Sequence, residues 1–148
     1  MSDLTGGTGV IDVTPAEAWS VLSTDPNAAL IDVRTAAEWT FVGTPNLSSA
    51  GKRALLIEWQ VFPSMDVNTS FVSQLNDELV RAGLPKDTPL YFLCRSGVRS
   101  KAAALAMASA GWTHGFNIAG GFEGGPDASG HRGAIAGWKA SNLPWVQS

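Results

Sequence analysis

Short apolar runs alternate with amphipathic stretches along the 148-residue chain, and that alternation sets its predicted elements. Val10-Ile11-Asp12-Val13 reads as a short strand. A helix then starts at Thr14-Pro15-Ala16-Glu17, with Thr14 as cap, Pro15 at the first helical position and Glu17 at capping-box spacing. Trp19 and Leu22 give this helix an apolar face until Asp25-Pro26-Asn27 breaks it. Ala29-Leu30-Ile31-Asp32-Val33 has the form of a strand buried on both faces. Thr35-Ala36-Ala37-Glu38 repeats the capping-box spacing and predicts a short helix carrying Glu38 and Trp39.

From Val42 to Arg53 the residues turn to Gly, Pro, Asn and Ser, which predicts an irregular loop. Ala54-Leu55-Leu56-Ile57 is a further strand. Phe71, Val72, Leu75 and Leu79 recur at helical spacing over 69–82, with Gly83 as C-cap and Pro85 beyond it. Pro89-Leu90-Tyr91-Phe92-Leu93 is a clear strand that runs straight into Cys94-Arg95-Ser96-Gly97-Val98-Arg99-Ser100. An alanine-rich helix follows over 101–110 and stops at Gly111. Phe116-Asn117-Ile118 is a last short strand, and Gly120-Gly121 turns the chain. The glycine-rich stretch beyond reads as a surface loop with room for a short helix over 134–140. Strands alternating with helices argue for an α/β sandwich around a mostly parallel sheet.

Composition narrows the chemistry. Hydrophobic residues make up 45% and charged residues 16%, enough for a sizeable core in one domain spanning 1–148. Ten Lys and Arg against thirteen Asp and Glu leave a net charge of −3, without the basic footprint that nucleic acid requires. No apolar run approaches the roughly 20 residues that span a bilayer, and Met1–Gly7 lacks the pattern of a signal peptide. A cytoplasmic setting and no membrane partner are expected. The single cysteine, Cys94, rules out an internal disulfide and any multi-cysteine metal site. His114 and His131 have no ligand-like spacing to it, so a zinc site is not expected.

Cys94 is therefore either a small buried hydrophobe or a nucleophile. It lies where a strand opens into a helix, and at the carboxyl end of a parallel strand that is where ligands bind. The first turn of a helix leaves backbone N–H groups free to converge on an anion, and a thiolate is one such anion. Arg95 and Arg99 add positive charge, and Gly97 lets the loop bend tightly. A purely structural cysteine has no need of a cationic loop.

Leu30-Ile31-Asp32-Val33-Arg34 with Glu38-Trp39, then Cys94-Arg95-Ser96-Gly97-Val98-Arg99-Ser100, then Gly111-Trp112 and Asn117-Ile118-x-Gly120-Gly121-Phe122, resemble a single-domain rhodanese of the thiosulfate sulfurtransferase family. The resemblance covers roughly residues 10–146. It implies a three-layer sandwich with helices on both faces of the sheet and a chemistry that needs no metal or organic cofactor. It further implies that Cys94 takes a sulfane sulfur from a small anionic donor such as thiosulfate. That persulfide would pass its sulfur to cyanide, a thiol or a sulfur-carrier protein. Arg95, Ser96, Gly97, Val98 and Arg99 would form the substrate-binding loop, with Asp32, Arg34 and Glu38 in support. Asp32 would accept backbone hydrogen bonds near the loop, and Arg34 would pair with Glu38 or line the entrance.

Related phosphatases and arsenate reductases of this fold carry a Cys-x5-Arg loop, whereas here the position six after Cys94 is Ser100 and the arginine falls five after, at Arg99. The shorter loop suits a sulfur atom better than a phosphate. A non-catalytic interaction module on the same fold is the other alternative. The Gly-His-Ile-x-Gly-Ala turn usual after the Glu-aromatic pair is replaced by Phe41-Val42-Gly43-Thr44-Pro45-Asn46-Leu47. Trp39 and Trp59 are the aromatics placed to rim a pocket, and the segments 48–53 and 120–130 are candidates for a docking face.

Overall fold

The computed structural model describes residues 10–61, 63–134 and 136–147. The N-terminal stretch read for a signal peptide and Ile135 of the short-helix segment lie outside them. Five parallel strands form the central sheet. In chain order they are β1 (Val10–Val13), β2 (Ala29–Asp32), β4 (Leu55–Leu56), β7 (Leu90–Leu93) and β8 (Gly115–Ile118). Their spatial order is β1-β8-β7-β2-β4. β7 is central, hydrogen-bonded on both sides, and all four of its residues are buried. That burial is why its sequence is apolar throughout rather than alternating.

Alternation of side chains along the strands supplies two cores on opposite faces. Ile31 and Phe92 pack with Phe71, Leu75 and Leu79 of helix α3 (Phe71–Arg81) and with Ala103, Ala104 and Met107 of helix α4 (Val98–Ser109). Leu30, Tyr91 and Leu93 pack the other way, against Ala18 and Leu22 of helix α1 (Pro15–Leu22) and Trp138 of the short helix α5 (Gly137–Ala140). The expected α/β sandwich, with helices on both faces of a parallel sheet, is the observed one.

Local signals place the starts of α1 and of a second short helix, whereas α4, expected from residue 101, begins three residues earlier at Val98. Thr14 and Thr35 each cap a helix through the backbone N–H three residues on, with Glu17 and Glu38 closing both capping boxes. Helix α2 (Ala36–Phe41) is the second of these. Four short strands fall outside the expected pattern. The segment 42–53 is only partly irregular: β3 (Thr44–Pro45) pairs antiparallel with β9 (Trp145–Val146). β5 (Gln60–Val61) and β6 (Asp66–Val67) form a small hairpin.

Candidate active site

β2 and β7 are neighbours in register, Asp32 beside Leu93, so their carboxyl ends open side by side. Cys94 follows β7 directly, at the edge of the sheet where open α/β folds place their ligands. Gly97 caps α4 with φ +113°, a conformation that L side chains rarely adopt, so glycine belongs there. With that bend the Gly97 N–H points back at the cysteine and donates to Sγ at 3.1 Å. The Ser100 hydroxyl lies 3.2 Å from the same sulfur, one turn into the helix. Cys94 is only 1% exposed and its residue packs in the core under α3 and α4. Burial alone fits an apolar filler. The Gly97 N–H aimed at the sulfur does not, since a filler would leave that donor without a use.

The base of the loop is held from the opposite side of the fold. Phe122 donates its N–H to the Cys94 carbonyl at 2.8 Å, and Glu123 and Gly124 donate to the Arg95 carbonyl at 3.0 and 3.1 Å. Gly121 (φ +60°) allows this approach: a Cβ there would sit 2.4 Å from the Cys94 carbonyl oxygen. The front half of the glycine-rich segment is thus a packed brace for the loop rather than a free surface loop.

The charged residues separate into three groups. Arg95 is exposed and forms no ion pair among the described residues. Arg99 is engaged: its Nη1 and Nη2 donate to Glu38 Oε1 and Oε2 at 2.7 and 3.0 Å. Burial by itself would raise the Glu38 carboxyl. The hydrogen bonds from Arg99 and from the Thr35 N–H, with the charge of Arg99, outweigh it and hold that carboxyl below its ordinary range. The third group is Asp32 with Arg34. The reading of Arg34 as a partner of Glu38 or an entrance residue is corrected here. Arg34 is wholly buried, paired with Asp32 at 2.7 Å, donating to the Gly43 carbonyl at 2.7 Å and stacked on Phe122 at 4.2 Å. Its partner is the last residue of β2, two positions back and buried with it, while Glu38 is drawn across to α4. Asp32 does accept a backbone hydrogen bond, from the Arg34 N–H at 3.1 Å.

Arg95 and Arg99 line a cavity of about 660 Å3 together with Glu38, Glu123 and the apolar side chains of Phe41 and Met65. Phe41 is 75% exposed. Trp39 and Trp59 do not line it: Trp59 meets Phe71 edge-on at 5.2 Å, and Trp39 lines a separate groove beside α3. Ser96, Gly97 and Val98 face another cavity on the far side of the loop, with Asp12, Lys101 and Asn117. Neither histidine approaches the sulfur among the described contacts.

Three residues at the site were given no role by the sequence reading: Ser100, Asn117 and Asp12. Asn117 Nδ2 donates to Asp12 Oδ1 and to the Gly97 carbonyl, both at 3.1 Å, and its Oδ1 faces the Ser100 hydroxyl at 2.5 Å. The available signal was a lone amide inside the apolar run Phe116-Asn117-Ile118, since a buried polar side chain must have partners.

The family profile described as STR4 middle domain matches residues 11–148. The chain belongs to the STR4 middle-domain family. Similar proteins occur in bacteria and in plants. An uncharacterised protein of Rickettsia rickettsii is 36% identical over 136 residues, 92% of this chain and 97% of that protein. The chloroplast rhodanese-like domain-containing protein 4 of Arabidopsis thaliana is 31% identical over 130 residues, 88% of this chain but only 24% of that protein. Among solved structures, Rv0390 from M. tuberculosis superposes with a TM-score of 0.83 at 47% identity, covering 93% of this chain and 97% of that one. The polysulfide-sulfur transferase of Wolinella succinogenes shares the fold, with a TM-score of 0.57 at 18% identity over 95% of this chain and 80% of its own. This STR4 middle domain therefore has a rhodanese-like fold.

Proposed function

We propose that this STR4 middle domain is a sulfurtransferase that carries sulfane sulfur on Cys94. The donor is a small anion such as thiosulfate, and the acceptor is a nucleophile, either a thiol or a sulfur-carrier protein. The observation that carries the reading is the environment of Cys94 Sγ, which faces the Gly97 N–H at 3.1 Å and the Ser100 hydroxyl at 3.2 Å at the start of a twelve-residue helix. Donors of that kind, with the positive end of the helix, can meet negative charge as it develops on the sulfur. The rhodanese-like relatives support the same reading.

In the first step the Cys94 thiolate attacks the outer sulfur of thiosulfate. The new S–S bond forms as the donor's own S–S bond breaks, and sulfite leaves with the electron pair. In the second step the acceptor attacks that outer sulfur and the pair returns to Cys94 Sγ. Arg95, Ser96, Gly97, Val98 and Arg99 form the loop that would hold the donor and the transferred sulfur. Arg95 supplies the unpaired cation for an incoming anion, because the charge of Arg99 is already met by Glu38. Asp32 and Arg34 act from below by fixing the end of β2.

Intact-mass measurement tests this. Thiosulfate should add one sulfur, about 32 Da, to the protein, cyanide should remove it, and Cys94→Ser should abolish both changes. A protein that gains no sulfur from thiosulfate or from an organic persulfide is a non-catalytic module, and the proposal fails. Hydrolysis of an aryl phosphate without sulfur uptake would instead favour the phosphatase alternative.

A further inference from the structure

Ser100 is fully buried, and its hydroxyl stands between two acceptors: Cys94 Sγ at 3.2 Å and Asn117 Oδ1 at 2.5 Å. A serine hydroxyl has one proton, so it cannot donate to both at once. Asn117 cannot relieve the conflict by turning its amide. Its Nδ2 donates to Asp12 Oδ1 and to the Gly97 carbonyl, and a reversed amide would set its oxygen against both of those acceptors. Asn117 Oδ1 is therefore fixed toward Ser100 and can only accept.

The protonation state of Cys94 decides where the hydroxyl proton lies. With a thiol, the S–H donates to Ser100 Oγ and the O–H donates to Asn117 Oδ1, and every group is satisfied. With a thiolate, the sulfur can only accept, and an anionic acceptor attracts the proton more strongly than a neutral amide oxygen. The hydroxyl then turns to the sulfur.

We propose that Ser100 is a catalytic residue whose single proton follows the charge on Cys94 Sγ, and that Asn117 is the positioning residue that holds it ready. Its part in turnover rests on the sulfur-transfer reading; the proton switch does not. While Cys94 attacks, its charge is partly held by the Ser100 O–H. Once the S–S bond has formed, Sγ is a neutral divalent sulfur and the proton returns to Asn117. When the acceptor takes the outer sulfur, the Sγ–S bond breaks, its electron pair comes back to Sγ and the hydroxyl turns in again. Ser100 thus makes Cys94 a better leaving group in the discharge step.

The test compares the full chain with Ser100→Ala, and with the isosteric pair Ser100→Thr and Ser100→Val, which keeps packing constant should the alanine variant fold poorly. Iodoacetamide alkylation of Cys94 is followed from pH 5 to 10. Arg95, Arg99 paired with Glu38 of α2, the Asp32–Arg34 pair after β2 and Asp12 of β1 beyond Asn117 are unchanged in every variant, so their effect cancels. At pH 6–7 Ser100→Ala and Ser100→Val should react about tenfold more slowly than the parent, the equivalent of ~1.4 kcal/mol. The rates should converge at high pH, and Ser100→Thr should follow the parent. Discharge of a preformed persulfide by cyanide should slow by a similar factor in the alanine and valine variants. Superimposable alkylation profiles for parent, Ser100→Ala and Ser100→Val would overturn the proposal. A displaced profile in a protein that takes up no sulfur would support the proton switch and sink the sulfurtransferase reading alone.

Discussion

Asp32 and Arg34 close a 2.7 Å ion pair with neither side chain exposed, and Phe122 lies over the guanidinium at 4.2 Å. A buried pair barely repays its own desolvation, yet removing one partner strands a charge in the core. Asp32→Ala should therefore cost about 3–5 kcal/mol in urea unfolding, more than any exposed pair of this chain. Glu38 contributes differently, because its carboxyl titrates below its ordinary value of 4.5 in the folded protein. A depressed acid stabilises the fold above the unfolded value and loses that stabilisation as pH falls through the folded one. Glu38→Gln should cost about 2 kcal/mol near neutral pH, as expected for hydrogen bonds to a charged group. The gap between variant and parent should close as pH drops below 4.5. Chemical denaturation at pH 7 and pH 3.5 compares the gap on either side of the ordinary value, and a gap that persists unchanged at pH 3.5 would refute the assignment.

At the scale of elements, the cysteine loop is clamped between α4 and the turn after β8. Gly121→Ala would place a Cβ 2.4 Å from the Cys94 carbonyl oxygen in a left-handed conformation, so both strain and a clash with backbone apply. A loss of about 2 kcal/mol or more is expected, together with impaired sulfur uptake, since the loop must shift to make room. Gly125→Ala is the control from the same segment: its φ is ordinary and a Cβ there meets nothing within 4 Å. Equal melting points for the two variants would rule out the clamp.

The same loop shows what the chain discloses before folding. Both capping boxes were legible because their partners lie three residues apart. The strand-to-helix setting of Cys94 was legible because apolar run and glycine adjoin it in sequence. The Glu38–Arg99 pair was not, since its partners lie 61 residues apart and only the β2–β7 register brings them together. Arg34 was misassigned for a related reason. A cation near a strand end is usually solvated, and only coordinates reveal the buried carboxylate, carbonyl and ring that hold it. The two-residue strands β3 and β9 have no periodicity to read, and long-range pairing alone makes them strands.

Across the whole molecule, that pairing ties the end of the described chain to the segment after α2. Trp138, wholly buried, donates its indole N–H to the Pro144 carbonyl at 2.7 Å, and Lys139 Nζ lies 4.0 Å above the Trp145 ring. Truncation after Leu143 removes these contacts and leaves a buried indole N–H without its acceptor, which costs about 1–3 kcal/mol. A fall of roughly 5 °C in thermal midpoint is expected; an unchanged midpoint would show that the closing strand contributes nothing.

The position of β7 has one more consequence. A strand flanked by neighbours on both sides and covered on both faces can release its amide protons only when most of the sheet opens. Residues 90–93 should therefore be among the slowest in the protein to take up deuterium, well behind the two-residue strand β4 at the rim. The sulfur is mounted at the tip of that slow-exchanging segment, so transient fraying at the periphery leaves its platform intact.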